Sequence, residues 1–249
     1  MRAVLLALLV LVAFVGVQAV ELESDACGGK DYGESGVFDF YVFAQSWPAQ
    51  FCTAHMDWPG CAQPTAWQRV NLTLHGMWPN YAKTQGTHNW PQCCQSTRYG
   101  FDIDPKVVSQ LLPALKVYWP NEQDPSGSDL SSSLWGHEWQ KHGTCSGMDQ
   151  KSYLTEAMSI ELSMGTPAVL TQNVGGAAPL TELMAGFKAS GCVKGQPCMA
   201  GLQCQYSGGQ QWLAGVTTCW TKDFQRFPCP AAVIQNGGCT NSKIYIRSY

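Results

Sequence analysis

Charge is scarce in this chain. Asp, Glu, Lys and Arg make up only 13% of its 249 residues, and there are five histidines. Basic residues do not outnumber acidic ones, and the formal net charge is −3. That balance argues against a protein that holds polyanions on a broad basic face, because such binding rests on clustered Lys and Arg. Any contact with a polyanion is expected to be local, or to strengthen as histidines charge at lower pH. The chain also has no repeat, no long run of like charge and no low-complexity linker. Beyond its first residues it has no apolar run near the roughly 20 residues that span a bilayer. The absences leave a globular chain with local chemistry.

Residues 1–19 read as a signal peptide: Arg2, then an apolar run from Ala3 to Val17, then the small residues of Val17-Gln18-Ala19. Glu21, Glu23 and Asp25 follow at once, as they would not after a membrane anchor. The remainder, residues 20–249, is long enough for one domain. Losing Arg2 lowers the basic count from 15 to 14 against 18 acidic residues, a net charge of −4. All twelve cysteines lie after the leader. In a secreted chain an even number argues for up to six disulfides, and the spacings lack the close pairs of a zinc knuckle. Asn71-Leu72-Thr73 is the one glycosylation sequon.

Val37–Phe43 alternates and is rich in aromatics, which predicts a strand. Val70, Leu72 and Leu74 share one face of a second predicted strand; Asn71, Thr73 and His75 share the other. On that parity, Asn71 and His75 project from the same side. Asp104-Pro105 predicts an N-cap and first turn of a helix through Val107, Val108, Leu111 and Leu112, with Pro113 kinking or breaking it. Tyr153–Leu162 and Leu180–Phe187 also read as helices. Tyr206, Trp212–Trp220 and Ile244–Ile246 suggest late antiparallel strands. Gly/Pro/Ser clusters at 124–133, 173–179 and 207–210 read as loops within one domain.

Chemistry concentrates in two segments, Leu74-His75-Gly76-Met77-Trp78-Pro79-Asn80 and Trp135-Gly136-His137-Glu138-Trp139-Gln140-Lys141-His142-Gly143-Thr144-Cys145. The second invites comparison with the zinc motif H-E-x-x-H, where histidines four apart share a helical face. Here they are five apart, roughly 140° around a helix from each other. Glu138 and His142 are four apart instead, as are His137 and Lys141. The arrangement suits proton transfer and stabilisation of negative charge without a metal. Glu138 beside His142 either raises that histidine's pKa or polarises a phosphate while protonated. His55 and His88 lie outside both segments and are given no role.

These two segments resemble the active-site blocks of the ribonuclease T2 family, secreted acid endoribonucleases that cut RNA through a cyclic phosphate. Phe38–Pro48, Val117-Tyr118-Trp119-Pro120-Asn121 and the late cysteines extend the likeness over most of the chain. The resemblance implies an α+β fold with a central antiparallel sheet flanked by helices and stapled by disulfides. It implies His75 and His142 as the proton-transfer pair, with His142 favoured as base and His75 as acid. His137 is implied to hold the phosphate, and Glu138 and Lys141 to stabilise the transition state. Trp78, with Asn80 beside it, is the candidate for one base site; Asn121, Gln123 and Leu134 are candidates for the other. Many relatives carry glutamine before the early Trp-Pro, where this chain has Ser46, so uridine preference does not carry over. Trp119, Trp135 and Trp139 are expected in the core.

The same resemblance implies the pairs Cys52–Cys61, Cys204–Cys239 and Cys219–Cys229, with Cys145 joined to Cys94 or Cys93. The leftovers would pair as Cys192–Cys198 and as Cys27 with the remaining neighbour. The expected protein is a monomer that cleaves single-stranded RNA with low base specificity and no cofactor. It is not attached to a membrane, and it is secreted or sent to a lytic compartment. Two other classes compete. A binding or signalling protein on the same fold would lack activity, but every catalytic position is filled. A zinc hydrolase fails on helical geometry.

Overall fold

Alternation in the first predicted strand survives in three dimensions. In β1 (Phe40–Ser46), Tyr41 and Phe43 enter one apolar cluster while Phe40 and Val42 enter another. The structure, a computed structural model, describes residues 27–28, 31–85, 88–129, 133–189, 192–195, 197–234 and 237–249. The signal peptide expected at 1–19 lies outside the described residues.

The other strands are β2 (Thr73–Asn80), β3 (Ala177–Pro179), β4 (Gly201–Ser207), β5 (Gln210–Trp220), β6 (Arg226–Phe227) and β7 (Lys243–Tyr245). β1 lies between β2 and β5, antiparallel to both. β4 and β6 pair antiparallel with β5, and β3 with β7. The departure from an antiparallel sheet is the contact of β7 with β5, which is parallel at Trp212↔Tyr245. Gly208 and Gly209, at φ +60° and +77°, turn β4 into β5, a two-residue hairpin loop that needs both positive φ values.

The helices are α1 (Pro48–Phe51), α2 (Pro59–Ala62), α3 (Pro105–Tyr118), α4 (Leu134–Lys141), α5 (Gln150–Met164), α6 (Ala168–Thr171), α7 (Leu180–Gly186) and α8 (Ala231–Ile234). Asp104 caps α3 by accepting from the Lys106 amide at 2.8 Å. Contrary to one of the two sequence expectations, Pro113 does not break this helix, which runs on to Tyr118. Leu115 is fully buried and its carbonyl takes the Trp119 amide at 2.8 Å, so packing beyond the proline holds the last turn.

One core cluster joins β1 and β2 to α3, α4 and α5 through Tyr41, Phe43, Met77, Trp119, Trp139 and Tyr153. Burial of large apolar side chains of this kind contributes roughly 2–3 kcal/mol each. A second cluster gathers Trp47, Leu72, Leu170, Leu183, Leu213 and Ile244.

The second predicted strand starts later than its pattern suggested. Val70 sits in a turn and is 42% exposed, and Asn71 lies before β2 with its side chain donating to the Trp67 carbonyl at 3.1 Å. Strand parity therefore does not reach Asn71 and places nothing on the side of His75. Thr73 is buried as well, because both faces of the strand are covered. The expected disulfides are present, and the adjacent cysteines are resolved: Cys94 pairs with Cys145 and Cys93 with Cys27. Cys52–Cys61, Cys192–Cys198, Cys204–Cys239 and Cys219–Cys229 complete the set, leaving no free cysteine among the described residues.

Candidate active site

β2 and α4 supply the charged residues, and buried tryptophans fix both. Trp119 donates its indole N–H to the His75 carbonyl at 2.9 Å, and Trp135 donates to the Trp119 carbonyl at 2.8 Å. Tyr153 donates its hydroxyl to the Met77 carbonyl at 2.7 Å. The expectation that these tryptophans are core is met: Trp119, Trp135 and Trp139 are fully buried. α4 opens on Ser133, whose side chain accepts from the Gly136 amide at 3.0 Å. It closes at Lys141, leaving His142 as the C-cap at φ −120°, ψ −48°.

That cap corrects the sequence reading of Glu138. Helical spacing set its carboxyl beside His142. His142 has left the helical ray, and only its amide reaches back, to the Glu138 carbonyl at 3.1 Å. The Glu138 carboxyl instead accepts from the Trp78 indole N–H at 2.7 Å and lies 3.9 Å from His75 Nε2. Trp78 stands edge-on to His75 with centroids 5.2 Å apart, and its ring lies 5.3 Å from that of His142. Trp78, expected beside a base, thus also stands between two histidines.

Burial pushes the Glu138 carboxyl up to about 8, against the pull of the Trp78 bond and the Lys141 ammonium. It is a neutral acid below that pH. Burial and Lys141 lower His137 to about 4, with His75 adding to the effect. The same two causes lower His75 to about 4, although its side chain keeps 43% exposure and the open edge of the ring tempers the depression. His142 is held well below the usual imidazole range by burial, then by Lys141, His137 and His75. Lys141 therefore lies close enough to act on all three histidines. Nδ1 of His137 and of His142 is buried without a partner among the described residues.

Next to His75 opens a pocket of about 620 Å³ including its mouth, lined among others by Ser46, Asn121 and Leu134. Gln123, expected with them, is exposed and gives only its amide to Asn121 Oδ1 at 3.3 Å. Asn80 closes β2 opposite Phe40, apart from this pocket. Phe51, Trp58 and Glu122 also line it and were not anticipated. An aromatic inside the short Cys52–Cys61 loop was the available signal for Trp58. His55, given no role, stacks on Trp58 at 4.0 Å.

An α+β fold carrying three histidines, a lysine and a neutral carboxyl at one edge suits acid–base chemistry on a phosphodiester. The family model for the ribonuclease T2 family matches residues 38–229. Intracellular ribonuclease LX of Solanum lycopersicum is 31% identical over 219 residues, 85% of each chain. Ribonuclease 1 of Arabidopsis thaliana is 34% identical over 139 residues, 54% of this chain and 55% of its own length. The structure of RNase NT in complex with 5'-AMP has a TM-score of 0.61 and 24% identity over 85% of this chain and 99% of that one, a likeness of fold. This chain belongs to the ribonuclease T2 family. It is a metal-independent endoribonuclease.

Proposed function

We propose that His75, His142, His137, Glu138 and Lys141 cleave single-stranded RNA by transferring the phosphoryl bond from the 5′-oxygen to the neighbouring 2′-oxygen. The supporting observation is that Trp78 touches the Glu138 carboxyl and the His75 and His142 rings, while Lys141 acts electrostatically on all three groups and His137 on His142. His142, buried and neutral, takes the 2′-hydroxyl proton; the freed oxygen bonds to phosphorus. The P–O5′ bond breaks, and His75 gives its proton to the departing oxygen. A bound phosphate raises the pKa of the partly exposed His75, restoring the proton this step needs. Lys141 and His137 neutralise the non-bridging oxygens, and Glu138, carrying its proton, donates to one of them. DNA lacks the 2′-oxygen and does not react.

The pocket holding Asn121 and Leu134 borders His75, so it receives the base of the departing nucleotide. Trp78 and Asn80 remain the proposed neighbours of the other base. All five residues belong to one chain, so a monomer suffices, and residues 20–249 are taken as one domain. Delivery through the secretory pathway, to the outside or to a lytic compartment, is supported by the leader-like residues 1–19 and six disulfides. Relatives from Solanum lycopersicum include one named intracellular and one named extracellular, and among the described residues no helix is long and apolar enough to cross a membrane. A silent binding protein on this fold is not favoured, since no catalytic position is lost.

Purified protein assayed on yeast RNA and single-stranded DNA in EDTA, from pH 4 to 8, tests the reading. Expected are RNA cleavage alone and products ending in 2′,3′-cyclic phosphate. Linear 3′- or 5′-phosphate ends formed without a cyclic intermediate would overturn it.

A further inference from the structure

Glu122 is a carboxyl on the wall of a pocket that the catalytic steps do not use. Its backbone is clamped from α2: the Gly60 amide donates to the Glu122 carbonyl at 2.8 Å, and a Cβ at Gly60 would lie 2.6 Å from the Glu122 Cα. Only glycine permits that approach. One carboxyl oxygen, Oε1, accepts from Gln68 Nε2 at 3.3 Å, and Gln68 is itself fixed by the Thr65 amide at 2.8 Å. Apart from its own backbone amide, no other described residue donates to the carboxyl. Glu122 thus keeps acceptor capacity toward the pocket it lines.

Asn121 beside it is oriented by a second bond. Its Oδ1 takes the Gln123 amide at 3.3 Å, which fixes the flip of the side chain and leaves Nδ2 as a donor. Phe51 and Trp58 form an aromatic wall of the same pocket, and the Cys52–Cys61 disulfide, which follows Phe51 directly, closes the loop that carries Trp58. Aromatic walls stack bases of any identity; selection then falls to hydrogen bonds along the base edge. A donor beside an acceptor with spare capacity complements guanine, whose O6 lies next to N1–H and the 2-amino group. Adenine and cytosine present the reverse order, an amino donor beside a ring acceptor. Uracil matches only partly, because O2 would face the carboxyl.

We propose that Asn121 and Glu122 are the base-selecting pair of this pocket and read guanine on the departing nucleotide, O6 against the Asn121 amide and N1–H with the 2-amino group against the Glu122 carboxyl. The nucleotide named rests on the assignment of His75 as the acid. Burial pushes the Glu122 carboxyl up to about 7, so its charge changes within the working range. The groups facing it are Gln68, Tyr249 with Arg69 against that ring, and His75 across the pocket. Comparing two substrates on the same enzyme cancels the titration of the catalytic histidines and leaves that of the reader.

The test measures kcat/KM for the four dinucleoside monophosphates CpG, CpU, CpA and CpC, and for the series with the 5′ nucleoside varied. Wild type should favour CpG over CpA by on the order of tenfold, the worth of a hydrogen bond to a charged group, and the ratio should widen between pH 5 and 8. Glu122→Leu should bring the ratio to within about twofold of unity. Glu122→Gln, which keeps volume and the contact with Gln68, should lower the ratio and remove its pH dependence. Should the leucine variant fail to fold, the glutamine variant decides. An unchanged order among the four substrates in a folded variant overturns the proposal. Discrimination lost only in the series varied at the 5′ nucleoside would sustain Glu122 as the reader and overturn His75 as the acid.

Discussion

The Trp78 indole N–H donates to the Glu138 carboxyl at 2.7 Å, and this bond ties β2 to α4 across the centre of the site. It also explains the glycine two residues before the tryptophan. A Cβ on Gly76 would collide with the Glu138 carboxyl and the Trp78 indole nitrogen. Gly76→Ala should therefore break the bond and displace the carboxyl without emptying the core. A loss of kcat on the order of 100-fold is expected, since misplacing a catalytic group by about an ångström costs that much. Far-UV circular dichroism should be unchanged. Near-normal turnover by this variant would show that the bond is not needed.

The three histidines should differ in what their loss costs. In the proposed mechanism His75→Ala and His142→Ala each remove a proton carrier, and general acids and bases contribute roughly 100- to 10,000-fold. His137→Ala removes the proposed phosphate contact, which Lys141 would partly replace, so it should retain clearly more activity. Steady-state kinetics on RNA decide the matter. Equal inactivity of all three folded variants would contradict the division of roles.

Stability should peak on the acid side of neutrality. Glu122, Glu138 and Glu161 are raised by burial to about 7, 8 and 8, so the folded state keeps protons that the unfolded chain releases near 4.5. Their contribution is complete below 4.5 and is lost as pH rises through 7 to 8. His75 and His137 are lowered to about 4 and His142 is lowered well below the usual imidazole range, so their contribution is lost as pH falls below about 6.5. The two sets oppose each other between about 4.5 and 6.5, which gives a plateau, and the glutamates alone act above it. Thermal unfolding should show the melting temperature falling between pH 6.5 and 8. Glu161→Gln, at a carboxyl that accepts from Gln45 at 2.9 Å and has no part in the proposed catalytic steps, should flatten that fall. A melting temperature that rises through this range would refute the account.

Much of this was legible in the chain. His75 and the His137–His142 segment, the helix N-cap at Asp104 and the late hairpin depend on local spacing, which sequence records directly. What failed depended on where elements stop. The pairing of Glu138 with His142 assumed that the helix continues, and it ends one residue too soon. The side assigned to Asn71 assumed a strand that starts only at Thr73. The adjacent Cys93 and Cys94 are equivalent by spacing and become distinct only when Cys93, at φ +59°, turns its side chain to Cys27. Glu122 was invisible because the residue that clamps it, Gly60, comes from a distant part of the chain.

Cys94–Cys145 spans 51 residues and clamps the end of the catalytic helix to the loop that follows β2. The clamp is reinforced by backbone bonds: the Cys93 amide donates to the Lys141 carbonyl at 2.9 Å, and the Cys94 amide to Thr144 Oγ1 at 3.2 Å. His142 lies between those two attachment points, so its ring is positioned by the loop as much as by α4. Closing a loop of this length contributes roughly 3–4 kcal/mol. The other five disulfides and the apolar clusters remain when this one is removed. The double variant Cys94→Ala/Cys145→Ala should therefore stay folded with a lowered melting temperature. Its kcat should drop further than a change confined to stability would explain, with KM little changed, because His142, the proposed proton acceptor, has lost its tether. Full kcat in a folded double variant would show that the backbone bonds alone hold His142 in place.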